Sequence, residues 1–368
     1  MSVPLLDLTR QYAPIREEIL TAIDELCSSQ RFILGAAVDD FERQAAEALG
    51  VRHAVGVASG TDALLVALMA LDIGPGDEVI VPTFTFFATA GVVHRLGATP
   101  VFVDIDPVDY CLDPDHVRCA ISDRTRAIIP VHLFGQSAKM DALMEAAGQV
   151  PIIEDAAQAW GADWRGQPVG SMGVMGAFSF FPSKNLGGFG DGGLVTTNDD
   201  ALSSRLRELR MHGQSGPYLH PSVGGNFRLD ALQAVVLSVK LPHVVSWIEG
   251  RRKNAARYAE LLSAAGLVGK IQLPEAIEGQ GHTFNQYVIR AEQRDELRAH
   301  LLEAGIGCSV YYPLSLHLQP CFADLGGREG DHPVSELASR EVLALPVFGE
   351  LEDRELRAVV DAIEAFYS

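Results

Sequence analysis

A chain of 368 residues with 48% hydrophobic content is too long for one small core and suits two domains, or one large domain with an appendage. Its 29 Lys and Arg stand against 48 Asp and Glu, a formal net charge of −19, which argues against a nucleic-acid partner. An anionic ligand must then be met by local cations and backbone N–H groups. The five cysteines, Cys27, Cys111, Cys119, Cys308 and Cys321, are odd in number and form no C-x-x-C. They read as reduced thiols, not as a disulfide framework or a zinc site.

The opening residues, MSVPLLDLTRQY, carry a charge and polar groups where a signal peptide needs an apolar core. The longest clean apolar run, Ala63 to Leu71, is too short to span a bilayer. The expectation is a cytoplasmic protein without membrane contact. Two helical patterns come first, PIREEILTAIDELCSSQ and VDDFERQAAEALG. TDALLVALMALDIG then carries apolar residues at helical spacing and stops at Gly74. GPGDEVIVP is a turn followed by a β-rich run, and ATPVFVDID, TRAIIPVHLFG, VPIIEDA, GAFSFF and GGLVTTND are further short apolar runs separated by mostly helix-like intervals. This alternation predicts an α/β fold with a mainly parallel sheet covered on both faces, whose sites lie at the carboxyl ends of strands. Near VSWIEGRRKNAARYAELL a long helix leaves this core. NQYVIRA, RDELRAHLLEAG, CSVYYP and a last helix from Glu352 to Tyr367 form a smaller α/β pattern beyond it. A boundary between Leu241 and Ile248 gives an N-terminal arm and large domain over 1–245 and a small domain over 246–368.

GAFSFFPSKNLGG (Gly176 to Gly188) sets one lysine, Lys184, at the exit of an apolar run. It is either a solvated turn amine or an amine kept partly dry as a nucleophile. In VPIIEDAAQAW, Asp155 marks another strand exit, 29 residues earlier. In a parallel sheet the two exits either face one pocket or form a plain ion pair. Ser59-Gly60-Thr61 precede the helix of ASGTDALLVAL, as a simple cap or as a phosphate seat. A lysine, a strand-end carboxylate and a helix start together suit pyridoxal phosphate. That cofactor needs an amine for a Schiff base, an acid to keep its ring nitrogen protonated, and an anion anchor. Gln158, three residues past Asp155, is placed to reach the ring's phenolic oxygen if a helix begins there. Ser179 alternates away from Phe178 and Phe180, toward the phosphate or back onto local backbone.

At this point the sequence resembles the DegT-type nucleotide-sugar aminotransferases, within the fold-type-I pyridoxal-phosphate enzymes. The likeness runs through ASGTDALLVAL, GDEVIVPTFTFFATA, GATPVFVDID, AIIPVHLFGQ, IIEDAAQAWGA, AFSFFPSKNLGGFGDGG, GGNFRLDALQA and YYPLSLHLQP. It implies a large domain with a mainly parallel seven-stranded sheet and a small C-terminal α/β domain. It assigns the Schiff base to Lys184 and the ring nitrogen to Asp155, with Gln158 beside it. Gly60, Thr61 and Ser179 fall on the phosphate, and Phe86 stacks on the ring. Asn226 reaches the phosphate of a neighbouring subunit's cofactor, which implies a homodimer with shared active sites. Arg228 is a candidate for a substrate phosphate or a structural salt bridge. Tyr312 and His317 are candidates for substrate, the histidine alternatively bonding to backbone. Phe227 stands where members often carry serine or tyrosine.

GFGDGG (Gly188 to Gly193) fits a dinucleotide fingerprint, but GLVTT follows where a helix should begin, so these glycines read as a flexible loop beside Lys184. GLVGK near Gly266 lacks P-loop spacing, and the eleven histidines contain no H-E-x-x-H, so no metal is expected. The resemblance implies ping-pong transamination from glutamate to a nucleotide-linked keto sugar. NFRLDALQAVVLSVKL resembles members acting at C3 more than those acting at C4. A cyclitol aminotransferase and a non-catalytic cofactor-binding regulator are the alternatives. A sugar dehydratase would carry histidine in place of Lys184.

Overall fold

The computed structural model describes residues 2–275 and 277–368. Seven strands build the central sheet: β1 (His53–Val57), β2 (Glu78–Pro82), β3 (Thr99–Val103), β4 (Thr125–Ile128), β5 (Ile153–Asp155), β6 (Met175–Ser179) and β7 (Gly193–Thr197). One section pairs in the order β3-β2-β4, the other in the order β1-β7-β6-β5. Parallel bridges Ile128–Ile152 and Val131–Asp155 join them, with Asp155 N donating to Pro130 O at 2.8 Å. The order across the sheet is therefore β3-β2-β4-β5-β6-β7-β1. All pairings are parallel except those of β7, which runs antiparallel to both neighbours. This is the mainly parallel seven-stranded arrangement expected from the sequence.

β2, β7 and most of β6 are buried at every position because helices cover both sheet faces. On one face, α3 (Gly60–Ala70), α4 (Ala88–Arg95) and α5 (Asp200–Arg210) pack Leu64, Leu68, Val93 and Leu206 against Val81, Ala177 and Val195. On the other, α1 (Arg16–Ser29), α2 (Ala36–Leu49) and α6 (Ala231–Lys240) bring Leu26, Phe41 and Leu237 onto Phe178 and Leu194. α7 (Val244–Ala264) continues from α6 through a short 3-10 turn. The joined rod has a stretch long and apolar enough to cross a membrane, but Ala231, Ala234, Leu237 and Ile248 on it are core residues. Its hydrophobicity is satisfied inside the protein.

A second core gathers Tyr258 and Leu262 of α7 with Tyr287 and Ile289 and with Leu356, Val359 and Ile363. They belong to a three-stranded antiparallel sheet, β8 (Ile271–Gln272), β9 (Tyr287–Ala291) and β10 (Val342–Leu345), and to the last helix. Val3, at the opposite end of the chain, is buried in this core and bridges to Ile306.

α8 (Pro333–Glu341) docks onto the end of β3 through one buried carboxylate. Asp104 accepts from Val334 N and Ser335 N, each at 2.9 Å, and from Ser335 Oγ at 2.5 Å. It satisfies the orphan amides of the helix start from another element. Asp104→Ala is expected to lower the unfolding free energy by about 2–3 kcal/mol, since it leaves buried donors unpaired. Urea denaturation would show a lower midpoint; a midpoint equal to wild type would contradict this role.

Candidate active site

β5 and β6 are parallel neighbours, and their exits carry the two ionisable groups singled out above. Asp155 is the last residue of β5 and only 4% exposed. Thr89 Oγ1, from α4, donates to Asp155 Oδ2 at 2.8 Å, and Ala157 N donates to Oδ1 at 3.2 Å. Burial pushes the carboxyl's pKa up, while these two bonds and the nearby Lys184 and His132 pull against that rise. Lys184 follows β6 in the turn that opens with Phe181, its N–H bonded to Phe181 O at 2.9 Å. Burial lowers its amine from the ordinary 10.5 to about 8, with Asp155 opposing the fall. Each group therefore feels the other's charge. Among the described residues they form no ion pair, so the plain ion-pair alternative does not hold.

The start of α3 lies beside them. Ser59 is extended, and its Oγ accepts from Asp62 N at 3.0 Å, while Ser59 O accepts from Ala63 N at 2.9 Å. Of the four orphan amides of a helix start, those of Gly60 and Thr61 remain for a ligand. The cap is thus realised by Ser59, and the amides of Gly60 and Thr61 are left without a partner among the described residues. A Cβ on Gly60 would sit 2.6 Å from Ser179 Cβ, so the helix start and the end of β6 touch. Ser179 Oγ accepts from Phe181 N at a long 3.3 Å, the local backbone bond weighed for it.

Gln158 accepts from Phe134 N at 2.7 Å and donates from Nε2 to Tyr312 Oη at 2.9 Å. Burial pushes the Tyr312 phenol up, so it stays protonated. The Phe86 ring is 56% exposed and lies 6.4 Å, centroid to centroid, from Tyr312. An aromatic face open at a buried polar site is suited to stacking. Lys184, Asp155, Gly60, Thr61, Ser179, Phe86 and Gln158 thus come from strand exits of the central sheet and the turns and helix starts that follow them, as open α/β sheets place their sites, while Tyr312 reaches in from the irregular segment before Leu316.

Asn226 and Arg228 flank the same region on an extended segment. Asn226 bridges to Met211, and Arg228 to Val57 at the end of β1. The Asn226 side chain is exposed and makes no hydrogen bond among the described residues. Arg228 makes no ion pair among them, and its Nε is buried without a partner. The salt-bridge alternative for Arg228 is not realised. His317 is 3% exposed, with Nδ1 2.7 Å from Thr83 Oγ1 and Nε2 3.2 Å from Glu336 Oε1. Both ring nitrogens are occupied, by side chains and not by backbone. The histidine braces the loop before Phe86 against α8.

The glycines of Gly188 to Gly193 lie in an irregular segment before β7, as the loop reading expected. None has a left-handed φ. They are small because neighbours press on them. A Cβ on Gly188 would lie 2.7 Å from Gln233 Oε1, and one on Gly193 would lie 2.3 Å from Ser59 O. Gly187, next to them, would meet Pro182 O at 2.3 Å. Thr89, Gln233 and Lys240 carry no role in the sequence reading. Thr89 lies inside GDEVIVPTFTFFATA, but only the fold shows which acid it meets. Lys240 carried a signal of its own, a lysine at an apolar-face position of α6.

A half-buried lysine whose amine is pushed down to about 8 and a buried carboxylate at adjacent parallel strand ends, beside a helix start offering amides, form a cofactor-type α/β enzyme site. The comparisons with known proteins agree. A profile of the DegT/DnrJ/EryC1/StrS aminotransferase family matches residues 13–364, and the chain belongs to that family. It is 50% identical to a "Pleiotropic regulatory protein" of Geobacillus stearothermophilus over 100% of this chain and 99% of that one. It is 47% identical to a UDP-N-acetyl-3-dehydro-alpha-D-glucosamine 3-aminotransferase of Acidithiobacillus ferrooxidans, over 98% and 97% of the two chains. The crystal structure of S. venezuelae DesV in complex with a ketimine intermediate superposes with a TM-score of 0.95 at 45% identity, covering 99% of this chain and 98% of that one.

The electrostatics can be tested without cofactor. Acylation of Lys184 by acetic anhydride, read by peptide mass across pH, is expected to be half-maximal near pH 8, because only the neutral amine reacts. Asp155→Asn removes a charge that favours the ammonium, so its midpoint falls lower still. A wild-type midpoint at 10 or above, as for a solvated lysine, would contradict the burial argument.

Proposed function

We propose that this protein is a pyridoxal-phosphate-dependent aminotransferase that carries an amino group from glutamate to C3 of a nucleotide-linked keto sugar. The observation that carries the reading is the unpaired proximity of a half-buried Lys184 and a buried Asp155. The residues present fit a flat, phosphate-bearing pyridine. Amides of Gly60 and Thr61 and the hydroxyls of Thr61 and Ser179 suit its phosphate. The open face of Phe86 suits its ring, and Asp155 suits a cationic ring N–H. The Gln158 amide adjoins it.

When bound, that cofactor supplies an aldehyde to take up the amino group and a cationic ring that accepts electrons from a breaking Cα–H bond. The chain's own residues manage position and protons. Asp155, held by Thr89 and Ala157, keeps a negative charge where the ring N–H needs it. Lys184 Nζ would hold the cofactor's aldehyde and, as a free amine, would take the proton from the donor's Cα and hand it to the cofactor's aldehyde carbon in the same half-reaction, the second half-reaction running in reverse. An amine with a pKa near 8 divides its time between base and acid at neutral pH, which this shuttle requires. Arg228 offers its fork to a substrate phosphate, and Tyr312 offers a protonated phenol to the sugar. Asn226, exposed and without a side-chain hydrogen bond among the described residues, belongs at the phosphate of the cofactor in a second subunit of a homodimer.

The C3 position rests on the NFRLDALQAVVLSVKL stretch and on the name of the Acidithiobacillus relative. A second reading is a regulator that binds cofactor without turnover, which the name of the Geobacillus relative favours. The two part on catalysis. The protein loaded with pyridoxamine phosphate should turn yellow with a 3-keto nucleotide sugar and not with its 4-keto isomer, and glutamate should yield 2-oxoglutarate. Colour returning only with the 4-keto sugar would overturn the C3 assignment; no conversion of any keto sugar would favour the regulator. Lys184→Ala is expected to lose the yellow colour and all detectable turnover, and activity retained in it would refute the role given to that amine.

A further inference from the structure

α6 presents two polar side chains to the Lys184 loop, Gln233 and Lys240. They are seven residues apart and so lie on one helix face. Gln233 Oε1 accepts from Phe189 N at 2.7 Å. Lys240 Nζ donates to Gly187 O and lies 5.5 Å from the Phe189 ring centre. Both side chains are buried, Lys240 to 4% exposure. A buried ammonium normally has a carboxylate, yet Lys240 has none among the described residues, and burial pushes its pKa down to about 8. Its neighbours are a carbonyl and two aromatic faces, those of Phe189 and Trp247. An uncompensated buried cation costs stability and persists where it holds something in place.

What it holds is the exit of the turn that carries Lys184. That turn closes on itself through Lys184 N to Phe181 O and through Gly188 N to Phe180 O at 2.7 Å. Asn185 Nδ2 ties its middle to Thr283 Oγ1 at 2.8 Å and to Trp160 O at 3.2 Å. After Asn185, Leu186 is buried in the core and the Phe189 ring packs edge-on against Tyr12 at 5.7 Å, while Gly187, Gly188 and Gly190 have no side chain to hold them. The glycines let α6 come close, and α6 adds polar contacts to their backbone. Gly190 shows the fit as well: a Cβ there would lie 3.0 Å from Gln233 Nε2.

We propose that Gln233 and Lys240 are positioning residues that clamp the glycine segment and so fix the reach of Lys184. They touch neither substrate nor cofactor. The inference rests on the reading of Lys184 as the cofactor lysine and proton carrier. A displacement of about 1 Å at a group moving a proton is enough to slow the reaction by about a hundredfold.

The test compares wild type with Lys240→Met and Gln233→Leu, two variants that break different contacts of one clamp. Hydrogen exchange over residues 180–190 is followed by mass spectrometry in cofactor-free protein. Steady-state kcat and KM are then measured on loaded enzyme with glutamate and the keto sugar that supports turnover. Each variant is expected to exchange at least about tenfold faster over 180–190, with peptides of the central strands unchanged. Its kcat should fall about 10- to 100-fold while the keto-sugar KM stays within about twofold. A folded variant with wild-type exchange in that segment and kcat within twofold of wild type would overturn the clamp, even if it melts earlier. If wild type itself does not turn yellow with pyridoxal phosphate, the reading of Lys184 fails, and the exchange result still decides whether the segment is clamped.

Discussion

Two opposite charges held close without touching, the acid buried and the lysine half-buried, are the constraint on which this protein depends. Left free, a lysine and an aspartate in a low-dielectric pocket close into an ion pair and neutralise each other. Here each is restrained from elsewhere. Asp155 is fixed by the end of β5 and by bonds from Thr89 and Ala157 to its two oxygens. Lys184 is fixed by a turn whose backbone is bonded at both ends. Keeping them apart preserves a lysine whose proton is loosely held and an acid whose charge has no internal partner.

The sheet accounts for most of that restraint. Parallel pairing of β5 with β6 brings two strand ends to one level, and helices on both faces hold the sheet in a packed core. The single antiparallel strand, β7, has a purpose in this geometry. It returns the chain alongside β6 so that Gly193 passes under Ser59, bringing the start of α3 to the site. A helix start is a local positive pole in a chain of net charge −19, and it provides what the bulk charge withholds from an anionic ligand. The DegT/DnrJ/EryC1/StrS relatives share the fold over almost the whole chain, so this scaffold serves the family in common.

Much of this was legible in the sequence, and the reasons are specific. Six of the seven strands stood out as short apolar runs bounded by turn residues; β1 was not read as a strand, and the number seven came from the family resemblance. Lys184 and Asp155 stand at strand exits, where side chains leave the core. Other features depend on distance in space and left no local trace. The glycine run 187–193 reads as a loop in composition; the reason for its glycines is close approach by Gln233, Ser59 and Pro182, none adjacent in sequence. His317 looked available, but Thr83 and Glu336 claim it from two other parts of the chain. Thr89 lay within a recognised stretch, yet its partner was 66 residues away. Such pairings belong to tertiary structure, which periodicity and motif spacing do not encode.

The central claim concerns one nitrogen atom, and one chemical trap reads it directly. The protein, mixed with pyridoxal phosphate, is reduced with borohydride, digested and mapped by mass spectrometry. The account predicts a pyridoxyl-phosphate group on Lys184, and far less of it when Asp155 is replaced by Asn. The label on Lys240 or on an exposed lysine, with Lys184 unmodified, would contradict it.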